Sequence, residues 1–444
     1  MKRKVAFISE HASPLALIGG VDSGGQNVYV SRLASKLVQY GYEVDIFTRW
    51  DNADTGQVIL MEPGVRIVHI KAGPKVILPK ENIFVYMDEF ASGMIHFIDS
   101  NKINYELIHA HFWMSGYVAS LIKNILSIPF VITFHALGRI RRLYQGKDDG
   151  FPDERFSIEE QVAKDADIII AECPQDMEDL VIHYMADTDK VRIVPCGFDK
   201  AEFFPIDKYQ SKLKLGFNPS EFLILQLGRL VKRKGIDNVV LGLKELLKLK
   251  DDPVRLVIVG GESDDPDPSK TPEISRLMDL ARNENVLSNV FFTGRKKREV
   301  LKHYYNAADV FVTTPWYEPF GITPLESMAC GTPVIGSNVG GIKYSVEHGE
   351  TGFLVPPNDP ELLGKRLYDL SSDKGLMKRF CFNSVKRVNT LFTWDRVGKM
   401  VSEIYEEILG AQFSRFGKIQ NSISEFWGNI GKSKTLKEKK LNQI

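Results

Sequence analysis

Two consecutive series of short runs rich in Val, Ile and Phe constrain the fold more than any other feature of this sequence. The runs are continuously apolar rather than alternating, which is typical of strands buried on both faces of a parallel sheet. Helical patterns separate many of them, so each series predicts a doubly wound α/β sheet. The first series comprises 5–9, 43–48, 65–70, 106–111, 130–135, 167–172 and 191–195, and the second 222–228, 254–261, 289–294, 309–314, 333–337 and 352–356.

The break between the two series predicts the domain organisation. Residues 199–221 contain two prolines and no sustained period, which is typical of a linker. A chain of 444 residues is also too long for one ordinary core. We therefore predict two Rossmann-like domains, 1–205 and 206–393, that face each other across a cleft, followed by a helix at 394–411 and a tail at 412–444.

Two amphipathic helices stand out. The helix after the first run places Val30, Leu33 and Leu37 on one face and ends at Gly41, a predicted C-cap. The terminal helix, 394–411, carries one apolar side. That side is formed by Val397, Val401, Ile404, Tyr405 and Ile408.

Composition excludes several classes of function. Lys plus Arg and Asp plus Glu number 57 each, so the overall charge does not favour nucleic acid as a partner. The four cysteines form no CxxC pair, and no apolar stretch is long enough for a signal-peptide core or a membrane span. We expect a cytoplasmic protein.

The tail, 412–444, has scattered aromatic residues and a lysine-rich end. One interpretation is a frayed terminus. The alternative is an interfacial helix that makes weak peripheral contact with a membrane, although Gly417, Gly428 and Gly431 interrupt its apolar face. The residues that would enter the lipid are Phe413, Phe416, Ile423, Phe426 and Trp427.

Two loops at predicted strand ends suit phosphate groups. In the segment 19–30, Gly24 and Gly25 precede a helix start, where free N–H groups favour a diphosphate. In the segment 228–235, Arg229 and Lys234 could hold phosphate oxygens and stabilise a leaving diphosphate. The structural alternatives are a flexible turn and a solvated basic turn.

Three histidines lie in or at the end of two further predicted strands. His135 lies at a strand end before a Gly-containing loop, which favours function over a purely structural role. His109 and His111 alternate along one strand and therefore point to the same face. We interpret this pair as structural or as lining an acceptor site.

Two glutamates flank a Phe-Gly pair in the segment 316–334. Thr323 and Glu326 have the spacing of a capping box at the start of a helix, so stability alone could explain Glu326. Glu318 precedes Pro319 and lies outside that helix, so it needs another explanation.

Together these segments resemble a known family. The E-x7-E pattern of "EPFGITPLE", with "GGVDSGGQNVYV", "HAHFW", "FHALGR", "GRLVKRKG" and "ACGTPVIGSNVGG" in this order, is similar to family-4 retaining glycosyltransferases of the GT-B fold. The resemblance spans about residues 3 to 410 and is greatest to sucrose-phosphate synthases and inositol-phosphate N-acetylglucosaminyltransferases. It implies that the terminal helix crosses back to the first domain.

The resemblance implies a donor site for a nucleotide sugar, such as UDP-glucose. Gly24, Gly25, Arg229 and Lys234 would hold the diphosphate, and Glu326 the ribose hydroxyls. Glu318 would contact the transferred sugar. His135 would lie beside that sugar, and the backbone N–H groups of Phe320, Gly321 and Ile322 would assist Glu318. The catalytic set is then His135, Arg229, Lys234 and Glu318.

The acceptor stays open. The resemblance places Asn27, Lys80, Phe112, Arg139 and Arg155 at the acceptor site. In the inositol-phosphate enzymes two hydroxyl side chains complete a phosphate cage, and here Phe112 and Ala136 replace them. "HALGR" with Arg139 instead resembles sucrose-phosphate synthases, which use fructose 6-phosphate.

A sugar, a sugar phosphate or a lipid-linked acceptor all remain candidates. No metal or other cofactor is expected, because GT-B enzymes generally need none, and the acidic stretch 262–268 is interpreted as a surface loop. The alternatives are a nucleotide-sugar epimerase, a glycosyl phosphorylase and a non-catalytic nucleotide-sugar-binding protein on the same fold.

Overall fold

The computed structural model describes residues 2–15 and 24–410. The predicted tail, 412–444, with its membrane contact, and residues 19–23 of the glycine-rich loop lie outside the described residues. The described chain forms one eight-stranded and one six-stranded sheet, which we call the sheets of domain 1 and domain 2.

Domain 1 alternates strands and helices as the apolar runs predict. Its helices are α1 (Gly25–Gln39), α2 (Met87–Ser100), α3 (Trp113–Leu126), α4 (Gly138–Gln145), α5 (Glu154–Asp165) and α6 (Pro174–Tyr184). Its strands are β1 (Arg3–Ile8), β2 (Tyr42–Arg49), β3 (Val58–Glu62), β4 (Val65–Ile70), β5 (Leu107–His111), β6 (Phe130–Thr133), β7 (Ile168–Ala171) and β8 (Val191–Ile193).

Domain 2 repeats the pattern. Its strands are β9 (Phe222–Leu227), β10 (Val254–Val259), β11 (Val290–Phe292), β12 (Val310–Thr313), β13 (Val334–Ser337) and β14 (Gly352–Val355). Its helices are α7 (Lys208–Lys214), α8 (Ile236–Leu247), α9 (Pro272–Asn283), α10 (Arg298–Ala307), α11 (Ile322–Ala329), α12 (Gly340–Ser345), α13 (Pro360–Ser372) and α14 (Lys374–Leu391). A further helix, α15, occupies 394–410.

Every apolar run of the two predicted series is a strand, and all pair in parallel. The prediction missed β3, which pairs antiparallel with β4 at the edge of the first sheet. Helix α1 buries Val30, Leu33 and Leu37, and Gly41 ends it at a φ of +88°. The predicted helix face is therefore confirmed, whereas the C-cap is Tyr40, and Gly41 is the left-handed residue directly after it.

The predicted linker is corrected in part. Residues 208–214 form α7, which packs on domain 2 because the buried Lys212 binds Asp309 at 2.8 Å. The chain passes between the domains a second time at 393, where Phe198 and Thr393 form a bridge. A Cβ on Gly197 would lie 2.7 Å from the Trp394 backbone nitrogen, so only glycine permits this close crossing.

Helix α15 packs back on domain 1, as the resemblance implied. Its predicted apolar side is buried throughout: Val397, Val401, Ile404, Tyr405 and Ile408. Tyr405 reaches His109 at 2.7 Å, and Glu406 accepts a hydrogen bond from the Tyr42 hydroxyl at 2.8 Å. The final helix is thus part of domain 1.

Strand order determines where ligands can bind. The first sheet runs β3-β4-β2-β1-β5-β6-β7-β8 and the second β11-β10-β9-β12-β13-β14. The order reverses between β1 and β5 and between β9 and β12, and ligands of open α/β sheets bind at the carboxyl ends of such strands. Among the described residues no helix is long and apolar enough to cross a membrane.

Candidate functional site

A cleft of about 360 Å³ lies between the carboxyl ends of the two sheets. This volume is within the usual range of small-molecule sites. Both domains contribute to its walls, which contain most of the residues singled out in the sequence. These are Gly24, Gly25, Asn27, Lys80, Phe112, His135, Arg229, Lys234, Glu318, Phe320, Gly321, Ile322 and Glu326.

Lys234 and Glu318 form an ion pair on the domain 2 wall, with 19% and 13% of their side chains exposed. Burial opposes ionisation of Glu318, but the charges of Lys234, Arg233 and Arg229 outweigh it and hold its pKa below the ordinary value. Burial, with the same two arginines, lowers the pKa of Lys234. The site thus keeps a carboxylate among three basic side chains and leaves a small exposed area for a ligand.

The backbone around Glu318 is held by a close glycine contact. A Cβ on Gly340 would lie 1.9 Å from the Glu318 carbonyl oxygen, and the Gly341 N–H donates to that oxygen at 3.2 Å. The double glycine in "SNVGG" is therefore required for the loop that presents Glu318.

The structure overturns the capping-box alternative. Helix α11 begins at Ile322 with Gly321 as its N-cap, so Thr323 is already inside the helix and Glu326 lies beyond its first turn. Glu326 caps nothing: it is 3% exposed, receives the Tyr305 hydroxyl at 2.9 Å and pairs with Arg298 at 3.0 Å. Burial raises its pKa despite these two partners.

The domain 1 wall contains a chain of hydrogen bonds through His135. Its Nδ1 lies 3.1 Å from the Glu172 carboxylate and its Nε2 lies 3.1 Å from Nδ1 of His111. Glu172 also accepts the Cys196 thiol at 3.1 Å. Because a carboxylate only accepts, Nδ1 of His135 donates to Glu172, and in the neutral ring Nε2 then accepts from His111.

Both ring nitrogens of His135 are therefore engaged within the protein. Its backbone adopts a φ of +58°, and Phe112 at the end of β5 adopts +83°. Such values are uncommon for residues other than glycine and concentrate at functional sites. His135 thus presents its backbone and ring edge, rather than a free nitrogen, to the cleft.

His109 and His111 point to the same face, as their alternation predicted, with ring centroids 4.2 Å apart. His109 lies 2.7 Å from Tyr405 and 2.9 Å from Thr133, and both histidines are fully buried. Burial lowers both pKa values well below the ordinary value. The pair is structural and joins α15 to the wall of the cleft.

The structure corrects the predicted acceptor set at two residues. Arg155 is fully buried, pairs with Glu159 at 2.7 Å and stacks on Phe112, Trp113 and Phe151. Arg139 donates to the His183 carbonyl and pairs with Glu160 at 2.5 Å. Neither side chain lines the cleft, because both have ionic partners behind its wall.

Sequence reasoning also missed several cleft residues. Arg141 lies two positions after Arg139 and lines the cleft, since α4 turns it to another side. Arg233 lies beside Lys234, with its guanidinium 5.3 Å from the Tyr317 ring centroid. The basic clusters "RIRR" and "VKRKG" mark both regions but do not show which side chain turns inward. His11, Glu172 and Arg298 carried no recognised signal.

Two facing doubly wound domains, an interdomain cleft at both switch points and a final helix that returns to domain 1 define the GT-B class of glycosyltransferases. The sequence matches the family described as Glycosyltransferase Family 4 over residues 23–202. It matches the family described as Glycosyl transferases group 1 over residues 207–387.

Similar proteins extend over nearly the whole chain. The D-inositol 3-phosphate glycosyltransferase of Corynebacterium efficiens is 35% identical over 416 residues, which cover 92% of this chain and 96% of the relative. That of Acidothermus cellulolyticus is 33% identical over 412 residues, which cover 92% and 91%. The chain belongs to the family-4 glycosyltransferases.

Solved structures agree on the fold. Sucrose-phosphate synthase from Thermosynechococcus elongatus superimposes with a TM-score of 0.84 at 31% identity, over 92% of this chain and 100% of that one. Anabaena Alr3699/HepE, crystallised with UDP and glucose, gives 0.70 at 19% identity, over 91% and 100%. The second likeness shows the fold alone.

Proposed function

We propose that this glycosyltransferase transfers glucose or a related hexose from a nucleotide diphosphate sugar, with UDP-glucose as the donor, to a hydroxyl acceptor. The observation that carries the proposal is the Lys234–Glu318 pair at the switch point of the second sheet. It offers a cation for the diphosphate and a carboxylate for sugar hydroxyls side by side.

The surroundings of this pair support a nucleotide sugar. Arg229 and Arg233 line the same wall, and the first turn of α11 presents backbone N–H groups. Glu326, next to these groups, suits a ribose. Anabaena Alr3699/HepE, a neighbour in fold, was crystallised with UDP-glucose, so UDP-glucose is the first donor to test.

In the proposed reaction the bond between the sugar C1 and the diphosphate oxygen breaks, and the acceptor oxygen forms a bond to C1. Arg229, Lys234 and the N-terminus of α11 stabilise the charge that develops on the departing diphosphate. Each such contact contributes roughly a hundredfold to a thousandfold to the rate in other enzymes. We propose retention of configuration by same-face attack, in which the donor phosphate assists proton removal.

Basic side chains take the place of a metal in this proposal, and no other cofactor is required. Candidate acceptors are a sugar, a sugar phosphate or a lipid-linked sugar. We place the reaction in the cytoplasm, where the free thiols of Cys173, Cys196, Cys330 and Cys381 would stay reduced. Weak contact with a membrane through the tail remains part of the proposal.

Calorimetry with UDP-glucose, GDP-glucose and ADP-glucose tests the donor. Nucleotide release is then followed with a panel of hydroxyl acceptors, with and without a chelator, and NMR of the product gives the anomeric configuration. We expect UDP-glucose to bind, UDP release to depend on the acceptor, and the chelator to have no effect.

The outcomes separate the alternatives. No binding of any nucleotide sugar contradicts the proposal. Binding without transfer favours the non-catalytic alternative, and a donor recovered with an inverted hydroxyl identifies an epimerase. Loss of transfer on chelation contradicts the metal-free reaction alone.

A further inference from the structure

The segment of domain 2 that carries Glu318 contacts domain 1 on both sides of this glutamate. The side-chain amide of Gln145 on α4 donates to the Tyr317 hydroxyl at 2.6 Å. The thiol of Cys173, the N-cap of α6, donates to the Pro319 carbonyl at 3.4 Å. The glutamate that we assign to the transferred sugar is therefore bracketed by two contacts between the domains.

The ring of Tyr317 also packs against α4. It stacks on the Tyr144 ring, with centroids 5.3 Å apart and planes 19° from parallel. Only 7% of Tyr317 is exposed, although it lies in the loop after β12 that lines the cleft. Stacked aromatic rings contribute about 0.5–1.5 kcal/mol beyond the burial of their area. Helix α4 thus offers one side chain of domain 2 both a flat apolar partner and a hydrogen bond.

Within domain 2, Tyr317 holds a basic side chain of the cleft wall. The Arg233 guanidinium lies 5.3 Å from the Tyr317 ring centroid, which is within the range of a cation–π contact. Its Nη1 is buried and has no hydrogen-bond partner within residues 2–15 and 24–410. The Trp316 N–H donates to the Arg233 carbonyl at 2.9 Å, so the backbone of this arginine is also tied to the Tyr317 loop. The direction of the guanidinium therefore depends on the Tyr317 ring.

These contacts make the geometry of the domain 2 wall depend on the position of domain 1. Tyr317 and Glu318 are consecutive, so a displacement of one moves the other. A misplacement of about 1 Å can cost roughly a hundredfold in rate. Closure of domains over a substrate is a common step that completes a catalytic site. Because α4 belongs to domain 1, it supports Tyr317 only while the two domains are as close as in this structure.

We propose that Tyr317 is a positioning residue through which α4 of domain 1 places Glu318 and Arg233 for sugar transfer. Binding of the nucleotide itself does not require this contact, because Arg229 and Lys234 lie in domain 2. The donor therefore binds to either arrangement of the domains, and its sugar is held correctly only when α4 meets Tyr317. The inference rests on the proposed function, because it concerns the donor of that reaction.

The kinetic test uses Tyr317→Phe, Gln145→Ala and the double variant. UDP-glucose is the donor, and D-inositol 3-phosphate and fructose 6-phosphate are the acceptors. Each single variant loses the hydrogen bond between the domains and should lower kcat roughly two- to tenfold. The double variant should be no slower than either single variant, because both changes remove the same contact. The Kd for UDP, measured by calorimetry, should stay unchanged in all three.

Variants of Tyr144 separate the ring contact from the hydrogen bond. Tyr144→Ala removes the stacked ring and should lower kcat by a similar factor, whereas Tyr144→Phe keeps the ring and should restore most of the turnover. Gln161→Ala, at an exposed position of α5, is the matched control for Gln145→Ala and should behave as the native protein. Thermal unfolding identifies a variant that has lost its fold.

A binding measurement covers the case in which neither acceptor is turned over. The native protein should bind UDP-glucose more tightly than UDP, because Glu318 contacts the sugar, and Gln145→Ala should reduce this difference without changing the Kd for UDP. Native kcat in Gln145→Ala, an unchanged ratio of the two Kd values in that variant, or additive losses in the double variant overturns the inference. Failure of the native protein to bind UDP-glucose instead contradicts the proposed function.

Discussion

The two walls of the cleft differ in how they handle charge. On the domain 2 wall, carboxylates and basic side chains meet as ion pairs, as at Lys234–Glu318 and Arg298–Glu326. On the domain 1 wall, His135, Glu172 and Cys196 form a hydrogen-bonded chain that has no Arg or Lys partner within residues 2–15 and 24–410. The cationic wall suits a diphosphate, and the hydrogen-bonded wall suits a hydroxylated, less charged group.

The walls also differ in how they are assembled. Domain 2 uses short segments of consecutive residues, above all those after β9 and β12, with further residues after β10 and at the start of α10. Domain 1 uses one segment of consecutive residues, 24–28 at the start of α1, and otherwise one or two residues at a time, most of them directly after a strand. Short segments are visible as motifs, whereas a wall collected from many strands is visible only after folding.

The largest expected effect is on the charged wall. Glu318→Gln keeps the shape of the side chain but removes the charge next to Lys234, so we expect kcat/KM to fall about 1,000-fold. The rate of UDP release measures this change in kcat/KM. Glu347→Gln, at a surface pair with Arg387, should retain native activity. Native turnover in Glu318→Gln would refute the idea that charge defines this wall.

The free energy of unfolding should distinguish Arg155 from Arg139, the two arginines that the sequence placed at the acceptor site. Arg155→Met leaves the buried Glu159 without its cation and should lower the free energy of unfolding by about 3–5 kcal/mol. Arg139→Met removes a partly exposed pair and should change it by less than about 1 kcal/mol. Denaturant unfolding measures both values. Equal stabilities would show that Arg155 is not a structural residue.

The charge of the Glu326 carboxylate should affect the affinity of the protein for its sugar-nucleotide donor. Burial raises its pKa, so it loses its charge at a higher pH than an ordinary glutamate as the solution is acidified. The affinity for UDP-glucose should therefore weaken on mild acidification. Glu326→Gln should bind the donor about tenfold more weakly at neutral pH and lose this pH dependence. Calorimetry over the acidic range measures both, and an unchanged pH profile would contradict the ribose assignment.

Asp176 of domain 1, which has no cationic partner among the described residues, should affect the pH dependence of stability and not activity. Burial, aided by the neighbouring Glu172, raises the pKa of Asp176 from 3.8 to about 8. The folded state thus binds the proton more tightly, and this stabilisation is lost as pH rises from about 4 to 8. Asp176→Asn should remove this slope and flatten the stability profile in this range. If the free energy of unfolding of Asp176→Asn changed with pH in the same way as that of the native protein, the raised pKa of Asp176 would be contradicted.

The fold could be predicted from the sequence because strands of parallel sheets are buried on both faces and are continuously apolar. The same logic failed for β3, an edge strand with Val58 and Leu60 exposed. It also failed for α7, since the buried Lys212 is compensated by Asp309, almost a hundred residues away. A strand at the edge of a sheet, or an ion pair between residues far apart in the chain, leaves no periodic pattern of apolar residues in the local sequence.

The candidate site could be predicted where neighbours in sequence share a loop, as at Glu318 and Phe320–Ile322, all of which line the cleft. Their roles stay predictions. Arg139 and Arg155 could not be excluded from sequence, because only the positions of Glu160 and Glu159 show that both side chains turn away. His11 could not be found, because the burial of Glu10, which lies 2.7 Å from its ring, is a tertiary property.

The double crossing at Gly197 and Trp394 has a consequence for observing motion. Because the two connections between the domains lie side by side, we expect any relative rotation of the domains to have its axis near these residues, with α15 moving together with domain 1 although it follows domain 2 in the chain. A fluorophore on α15 paired with a second on α13 therefore reports cleft closure directly. A pair of fluorophores on α13 and α14, which both belong to domain 2, should show no change in separation.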